Sequence, residues 1–183
     1  GLRFIGPTPE AMRLMGDKIR SREFAARNDV PVAASVQPTD DIDDFLRKAA
    51  TIGYPLLIKA SAGGGGKGMS IVRHPEELAG KARLAASEAA RYFADGRVYA
   101  ERYIERPRHI EVQVFGDGRG GAIHLHEREC SLQRRFQKIV EEAPAAGLPE
   151  PVRARLLAAA VRLASAARYL NAGTVEFILA PDG

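Results

Sequence analysis

Residues 56–72 read LLIKASAGGGGKGMSIV, four consecutive glycines between two short apolar runs, with Lys59 before them and Lys67 among them. Gly63, Gly65 and Gly68 satisfy the G-x-G-x-x-G dinucleotide fingerprint, and Gly66-Lys67 resembles the end of a P-loop. Both motifs need a helix directly after the loop, because the helix N-terminus holds the phosphate. Here Met69-Ser70-Ile71-Val72-Arg73 follows and His74-Pro75 closes it, which predicts a strand. A P-loop also needs Ser or Thr after its lysine to reach magnesium, and position 68 is Gly. What remains is strand, glycine loop, strand: a flexible hairpin whose bare N–H groups can close over phosphates. A mobile surface turn would not need four glycines beside two lysines.

The 183 residues can bury a core and predict one or two domains. A content of 45% hydrophobic and 27% charged residues is that of an ordinary globular protein. No apolar run approaches the roughly 20 residues of a membrane span, and the first residues, GLRFIGP, do not read as a signal peptide. Cys130 is the single cysteine, which excludes a disulfide framework and points to a reducing compartment. The net charge of +4 has one dense basic cluster, Arg134, Arg135 and Lys138. Apart from Phe136 no aromatic stacking platform accompanies it, so neither nucleic acid nor membrane is expected as a partner.

Residues 39–52 predict a helix capped by Thr39, with Ile42, Phe45, Leu46 and Ala49 as one stripe and Gly53 ending it. Residues 54–60 predict a strand leading into the glycine loop. Pro75 suits a first helical position, and a helix follows to Tyr92 with Leu78, Ala82, Ala85 and Ala89 on one face. Residues 97–104 return as a strand. Farther on, residues 108–115 alternate, with Ile110, Val112 and Val114 opposite His109, Glu111 and Gln113. Residues 116–121 make a turn and 122–129 the return strand. A charged loop precedes a helix from about Pro151 to Leu170, ended by Asn171-Ala172-Gly173, and 174–180 form a last strand. The first 30 residues predict one connecting helix around 9–27.

Five strings, FIGPTPEAMRLMGDK, YPLLIKASAGGGGKGM, RPRHIEVQVFGDG, HERECSLQRRFQKIVEEAPA and AGTVEF, resemble the ATP-grasp domain of biotin carboxylase. That domain is the ATP-using component of biotin-dependent acyl-CoA carboxylases of the acetyl-, propionyl- and methylcrotonyl-CoA type. The likeness runs almost end to end. Carbamoyl-phosphate synthase shares the fold, but RRFQKIVEEAPA resembles the carboxylases more closely. The resemblance implies an α+β ATP-grasp fold: a connecting helical segment over 1–31, a glycine-rich lid over 32–103, and the first part of an antiparallel-sheet catalytic domain over 104–183. It also implies a ligase that uses MgATP (or MnATP) and bicarbonate to carboxylate biotin through carboxyphosphate. A biotin carboxyl carrier domain and a carboxyltransferase subunit would be partners, in a parent enzyme able to form homo-oligomers. The expected location is cytoplasmic, or the mitochondrial matrix in a eukaryote.

The residue roles follow from the same likeness. Lys18 and Lys59 would neutralise the nucleotide phosphates. For Lys59 the residues agree, since a cation inside an apolar strand needs an anionic partner. Gly64, Gly65 and Gly66 would supply backbone donors, and Met69 and Ile178 would lie near the nucleotide, although Met69 alone reads equally as core. Glu101, Arg102 and Ile104 match the hinge that recognises adenine, His109 the histidine on the ribose, and Gln133 a nucleotide contact. Lys138 matches the lysine on bicarbonate and the transferring phosphoryl group, and Glu176 the carboxylate that holds magnesium. On their own, Lys18 reads as a surface lysine, Lys138 as part of a solvated basic face and Glu176 as a solvent-facing strand residue.

Phe136 stands where the family has a polar residue that touches the nucleotide. The sequence also ends before the strand that supplies the family's second magnesium carboxylate and before its Asn-Thr-Arg…Gln-Val-Glu-His segment. It therefore reads as a piece from the middle of an enzyme, expected to be inactive when isolated. The alternatives are a nucleotide-binding module without chemistry and another ATP-grasp ligase, such as a carbamoyl-phosphate synthase-like enzyme.

Overall fold

A computed structural model describes residues 4–61, 69–134 and 137–181, with Lys18 described by its backbone only. The chain divides into two compact units, residues 33–105 and residues 1–32 together with 106–183.

The N-terminal segment holds two helices, α1 (Pro9–Gly16) and α2 (Lys18–Arg27), where one was expected. Asp17 causes the break. Its backbone is extended, and its Oδ1 accepts from the N–H groups of Ile19 at 2.9 Å and Arg20 at 3.0 Å, which makes it a new N-cap.

The unit 33–105 contains β1 (Ser35–Val36), α3 (Ile42–Ala50), β2 (Leu56–Ala60), β3 (Met69–Val72), α4 (Leu78–Phe93) and β4 (Val98–Arg102). Its sheet has the order β1-β4-β2-β3, antiparallel throughout. β2 and β3 pair from Leu56 opposite Val72 to Lys59 opposite Met69, so a strand and not a helix follows the glycines. Leu56, Ile58, Val72, Val98 and Ala100 pack beneath Phe45 and Ala49 of α3 and Leu78, Ala82 and Ala85 of α4. The cap of α3 is Asp41 rather than Thr39. The Asp41 Oδ1 accepts from Asp43 N at 2.9 Å and Asp44 N at 3.2 Å, while the Thr39 hydroxyl accepts from Asp41 N, ahead of the helix, at 3.2 Å. Pro75 starts a short 3-10 turn that leads into α4.

In the other unit β5 (Arg108–Asp117), β6 (Ala122–Glu129), the short hairpin β7 (Gln133–Arg134) and β8 (Gln137–Lys138), α5 (Glu150–Ala166) and β9 (Leu170–Leu179) follow in order. The main sheet is β6-β5-β9, all antiparallel. Ile110, Val112 and Val114 are buried; Val112 and Val114 pack with Ala160 and Ala164 of α5, and Ile110 with Ala145 and Leu148. Phe24, Ala25 and Val30 pack on Ala159 and Leu163 of the same helix, joining the N-terminal segment to this unit. α5 ends four residues earlier than the sequence predicts, and β9 begins at Leu170 rather than Thr174. A turn at Arg168, φ 46°, reverses the chain, and β9 then pairs with β5 from Leu170 opposite Asp117 to Leu179 opposite Arg108. Asn171 and Gly173, which read as a helix stop, lie inside this strand. Gly173 is small because the Tyr169 ring covers it: a Cβ there would sit 2.5 Å from the Tyr169 hydroxyl.

Candidate functional site

In the unit 33–105, the strand residues alternate between the helix-covered face and a second face. Leu57, Lys59, Met69, Ile71, Tyr99 and Glu101 share that second face by register. The Lys59 ammonium is ion-paired with Glu101 and lies 5.8 Å from the centre of the Tyr99 ring. The structure thus brings Lys59, Met69 and Glu101 together, and it supplies the anion that Lys59 needs. The Arg102 N–H donates to the Ala34 carbonyl at 2.9 Å, which ties the end of β4 to the chain before β1. Ile104 is half-buried just beyond β4. Gly64, Gly65, Gly66, the rest of the glycine loop with Lys67, and Phe136 lie outside the described residues. Lys18 is the first residue of α2, and its side chain is also outside them.

The β6-β5-β9 sheet carries a second set. Its face away from α5 presents His109, Glu111 and Gln113 of β5, with Glu176 of β9 directly opposite Glu111 and Arg128 of β6 on the other side. Two carboxylates in cross-strand register repel. Lys138, reaching over from β8, resolves this: its ammonium is ion-paired with Glu111 and lies 2.7 Å from Glu176 Oε1. Arg128 is ion-paired with Glu111 as well, and donates to Gln113 Oε1 at 3.1 Å. Glu111 is only 1% exposed, whereas the Glu176 side chain is 56% exposed. Burial alone would push the Glu111 carboxyl up. The hydrogen bond from Lys138 and the charges of Arg128 and Lys138 outweigh it, and the carboxyl sits below its ordinary value. Burial likewise works against the charged Lys138, but Glu111 and Glu176 more than offset it and its pKa is raised. Cys130 behind this row is fully buried, and its thiol is pushed up by that burial and by Glu111.

His109 and Gln133 join the same row. The Gln133 amide nitrogen lies 2.7 Å from His109 Nδ1 and 2.8 Å from the Cys130 carbonyl oxygen. His109 Nε2 is 3.7 Å from Glu176 Oε1. Ile178, opposite His109 on β9, is exposed on this face. Lys138, Glu176, His109, Gln133 and Ile178 are therefore gathered on one surface by strands far apart in sequence. Glu111 and Arg128 belong to the row and were not among the residues the sequence singled out. The alternation of β5 placed Glu111 on the polar face, but its burial depends on Lys138 and Arg128 arriving from other strands.

Chemically, the row pairs an exposed carboxylate with a fixed ammonium, a combination able to bind an anion and a hard cation side by side. The opposed oxygens of Glu111 and Glu176 are the donor type that magnesium prefers, so the residues fit such an ion. Glu127, buried on the α5 side and bonded to Arg153 at 2.7 Å and Ala145 N at 3.2 Å, braces the fold and is no part of this face.

The family model of the carbamoyl-phosphate synthase L chain, ATP binding domain, matches residues 17–183. The alpha subunit of mitochondrial methylcrotonoyl-CoA carboxylase from Rattus norvegicus is 49% identical over 180 residues, 98% of this chain and 25% of that protein. A pyruvate carboxylase from Aspergillus niger is 48% identical over 180 residues, 98% of this chain and 15% of that protein. Among solved structures, the biotin carboxylase domain dimer of the Hydrogenobacter thermophilus 2-oxoglutarate carboxylase, in complex with MgADP, ADP and bicarbonate, superposes with a TM-score of 0.88. It is 46% identical, and the match covers all of this chain and 41% of that one. This chain therefore spans a quarter or less of these two curated relatives. It belongs to the carbamoyl-phosphate synthase L chain ATP-binding family and has the ATP-grasp fold in the form found in biotin carboxylases.

Proposed function

We propose that this chain is the ATP-binding region of a biotin carboxylase, which activates bicarbonate with MgATP for transfer to biotin. The observation that carries the reading is Lys138 held against the opposed carboxylates Glu111 and Glu176. Transfer of a γ-phosphoryl group is mainly positioning and charge stabilisation. Lys138 is a fixed cation for the bicarbonate and the phosphoryl oxygens. Lys59, on its sheet face with Glu101 and Met69, takes a nucleotide phosphate, and Lys18 a second one. Glu176, with Glu111 opposite it, would hold the magnesium ion, which supplies charge neutralisation at the β- and γ-phosphates. Bicarbonate oxygen attacks the γ-phosphorus and ADP leaves; the carboxyphosphate then splits into CO2 and phosphate, and the ureido nitrogen of biotin on a carrier domain gives its proton to that phosphate as it bonds to the CO2.

A relative acting in methylcrotonoyl-CoA carboxylase and one that is a pyruvate carboxylase are almost equally similar. The final carboxyl acceptor is accordingly assigned to a carboxyltransferase partner and not to these residues. The test is ADP release by an enzyme containing this chain, with and without bicarbonate and free biotin. We expect bicarbonate-dependent release that falls by about 10²–10³ in kcat for Lys138→Ala, the loss typical of one oriented electrostatic group. Release indifferent to bicarbonate would overturn the carboxylase reading and leave another ATP-grasp ligase.

A further inference from the structure

His109 is held by a short segment of the chain at three points. Its backbone N–H donates to the Ser131 hydroxyl at 2.9 Å, its carbonyl accepts from Cys130 N at 2.8 Å, and its ring Nδ1 meets the Gln133 amide. The same Gln133 nitrogen lies 2.8 Å from the Cys130 carbonyl oxygen. A carbonyl oxygen can only accept, which identifies the nearby amide atom as the NH2 group; a flipped amide would set two oxygens against each other. Its second hydrogen then points at His109 Nδ1, 2.7 Å away, and a proton on Nδ1 would collide with it. Nδ1 must be the acceptor, and the ring proton belongs on Nε2. That Nε2 is buried and has no hydrogen-bond partner among the described residues. It faces Glu176 Oε1, which at 3.7 Å is too far for a hydrogen bond.

We propose that Gln133 is a positioning residue that locks His109 as the Nε2–H tautomer, so that His109 offers a hydrogen-bond donor, and no metal-ligating lone pair, beside Glu176. The second half matters because His109, Glu111 and Glu176 bring one nitrogen and two carboxylate oxygens within 4.8 Å of one another. An imidazole with two carboxylates is a donor set attractive to zinc and other transition metals. A protonated Nε2 cannot ligate, and the cluster becomes an oxygen site suited to a hard cation. Gln133 spends both amide hydrogens on this task and keeps only its Oε1 for a ligand. Any ligand atom seated against His109 has to be an acceptor, such as a hydroxyl or phosphate oxygen. The cation preference rests on the biotin carboxylase reading, whereas the tautomer does not.

The test is 15N NMR of the 183-residue chain labelled at histidine, at about pH 9, well above the ordinary histidine value of about 6.5. The His109 signals are identified by their loss in His109→Gln. We expect a protonated Nε2, and an Nδ1 displaced from the unbonded pyridine-type position by the hydrogen bond it accepts. In Gln133→Glu, whose side chain accepts instead of donating, the proton should move to Nδ1, and zinc affinity should rise by at least about tenfold. In Gln133→Leu, Nδ1 should shift to its unbonded position. A wild-type Nδ1–H tautomer overturns the proposal, as does a His109 signature unchanged in both variants while His74, His124 and His126 keep their shifts. Neither spectrum needs nucleotide. ADP release that ignores bicarbonate in an enzyme containing this chain, beside a locked tautomer here, would sink the functional reading and keep this one.

Discussion

Glu111 faces two cations, and removing it would leave Lys138 with Glu176 alone and Arg128 with Gln113 and the half-exposed Glu141. Lys138 and Arg128 are each about one-quarter exposed, so water reclaims part of their charge. We expect Glu111→Ala to destabilise the chain by about 3 kcal/mol, the low end for breaking a buried pair, read as a shift in urea midpoint. The pH dependence follows from the depressed carboxyl. A carboxylate whose folded pKa lies below its ordinary 4.5 contributes stability above that pH and loses it as the pH falls through the folded value. The gap between wild type and Glu111→Gln should therefore be full near about pH 7 and shrink below about pH 4. In nucleotide titrations of the whole enzyme, Lys59→Ala should weaken MgATP by about 10- to 150-fold, the worth of one charge-assisted phosphate contact. Lys59 was legible from the sequence because a cation inside LLIKA is conspicuous. Its partner Glu101 was not, because that pairing exists only once β2 and β4 are in register. Glu111 was hidden for the same reason, looking like one more outward residue of an alternating strand.

At the level of elements, the strand after the glycines was the most readable feature, since Met69-Ser70-Ile71-Val72 before His74-Pro75 has no helical period. Helix ends were less readable. Thr39 and Asp41 are both good capping residues, and only the backbone shows that two N–H groups converge on Asp41. Asp41→Ala should accordingly cost about 1 kcal/mol and Thr39→Ala less, compared by thermal unfolding. Asn171-Ala172-Gly173 misled because ten residues of pairing with β5 outweigh a local stop signal. The close approach of Tyr169 that favours Gly173 also constrains Gly116, where a Cβ would lie 2.0 Å from the Tyr169 carbonyl oxygen. Gly116→Ala should cost about 1–3 kcal/mol, and at about 2–4 °C per kcal/mol the change in melting temperature is easily measured.

Across the whole molecule, the proposed ligand contacts fall in both compact units: Lys59, Met69 and Glu101 in residues 33–105, and His109, Gln133, Lys138 and Glu176 in the other. Residues 33–105 have a core of their own, centred on Phe45, Leu56, Ile58, Val72 and Val98. We expect the excised segment 33–105 to melt cooperatively by circular dichroism, and a featureless transition would show that its core depends on the rest of the chain. The sheet order β1-β4-β2-β3 sets its incoming and outgoing strands side by side. Ser35 lies opposite Glu101, Val36 opposite Ala100, and the Arg102 N–H reaches the Ala34 carbonyl. In topological terms the segment is a parenthesis: the chain enters and leaves it through adjoining doors. A piece whose ends already touch can be made into a ring, and splicing the end near Glu105 back to Ala33 with a short linker should leave every strand neighbour in place.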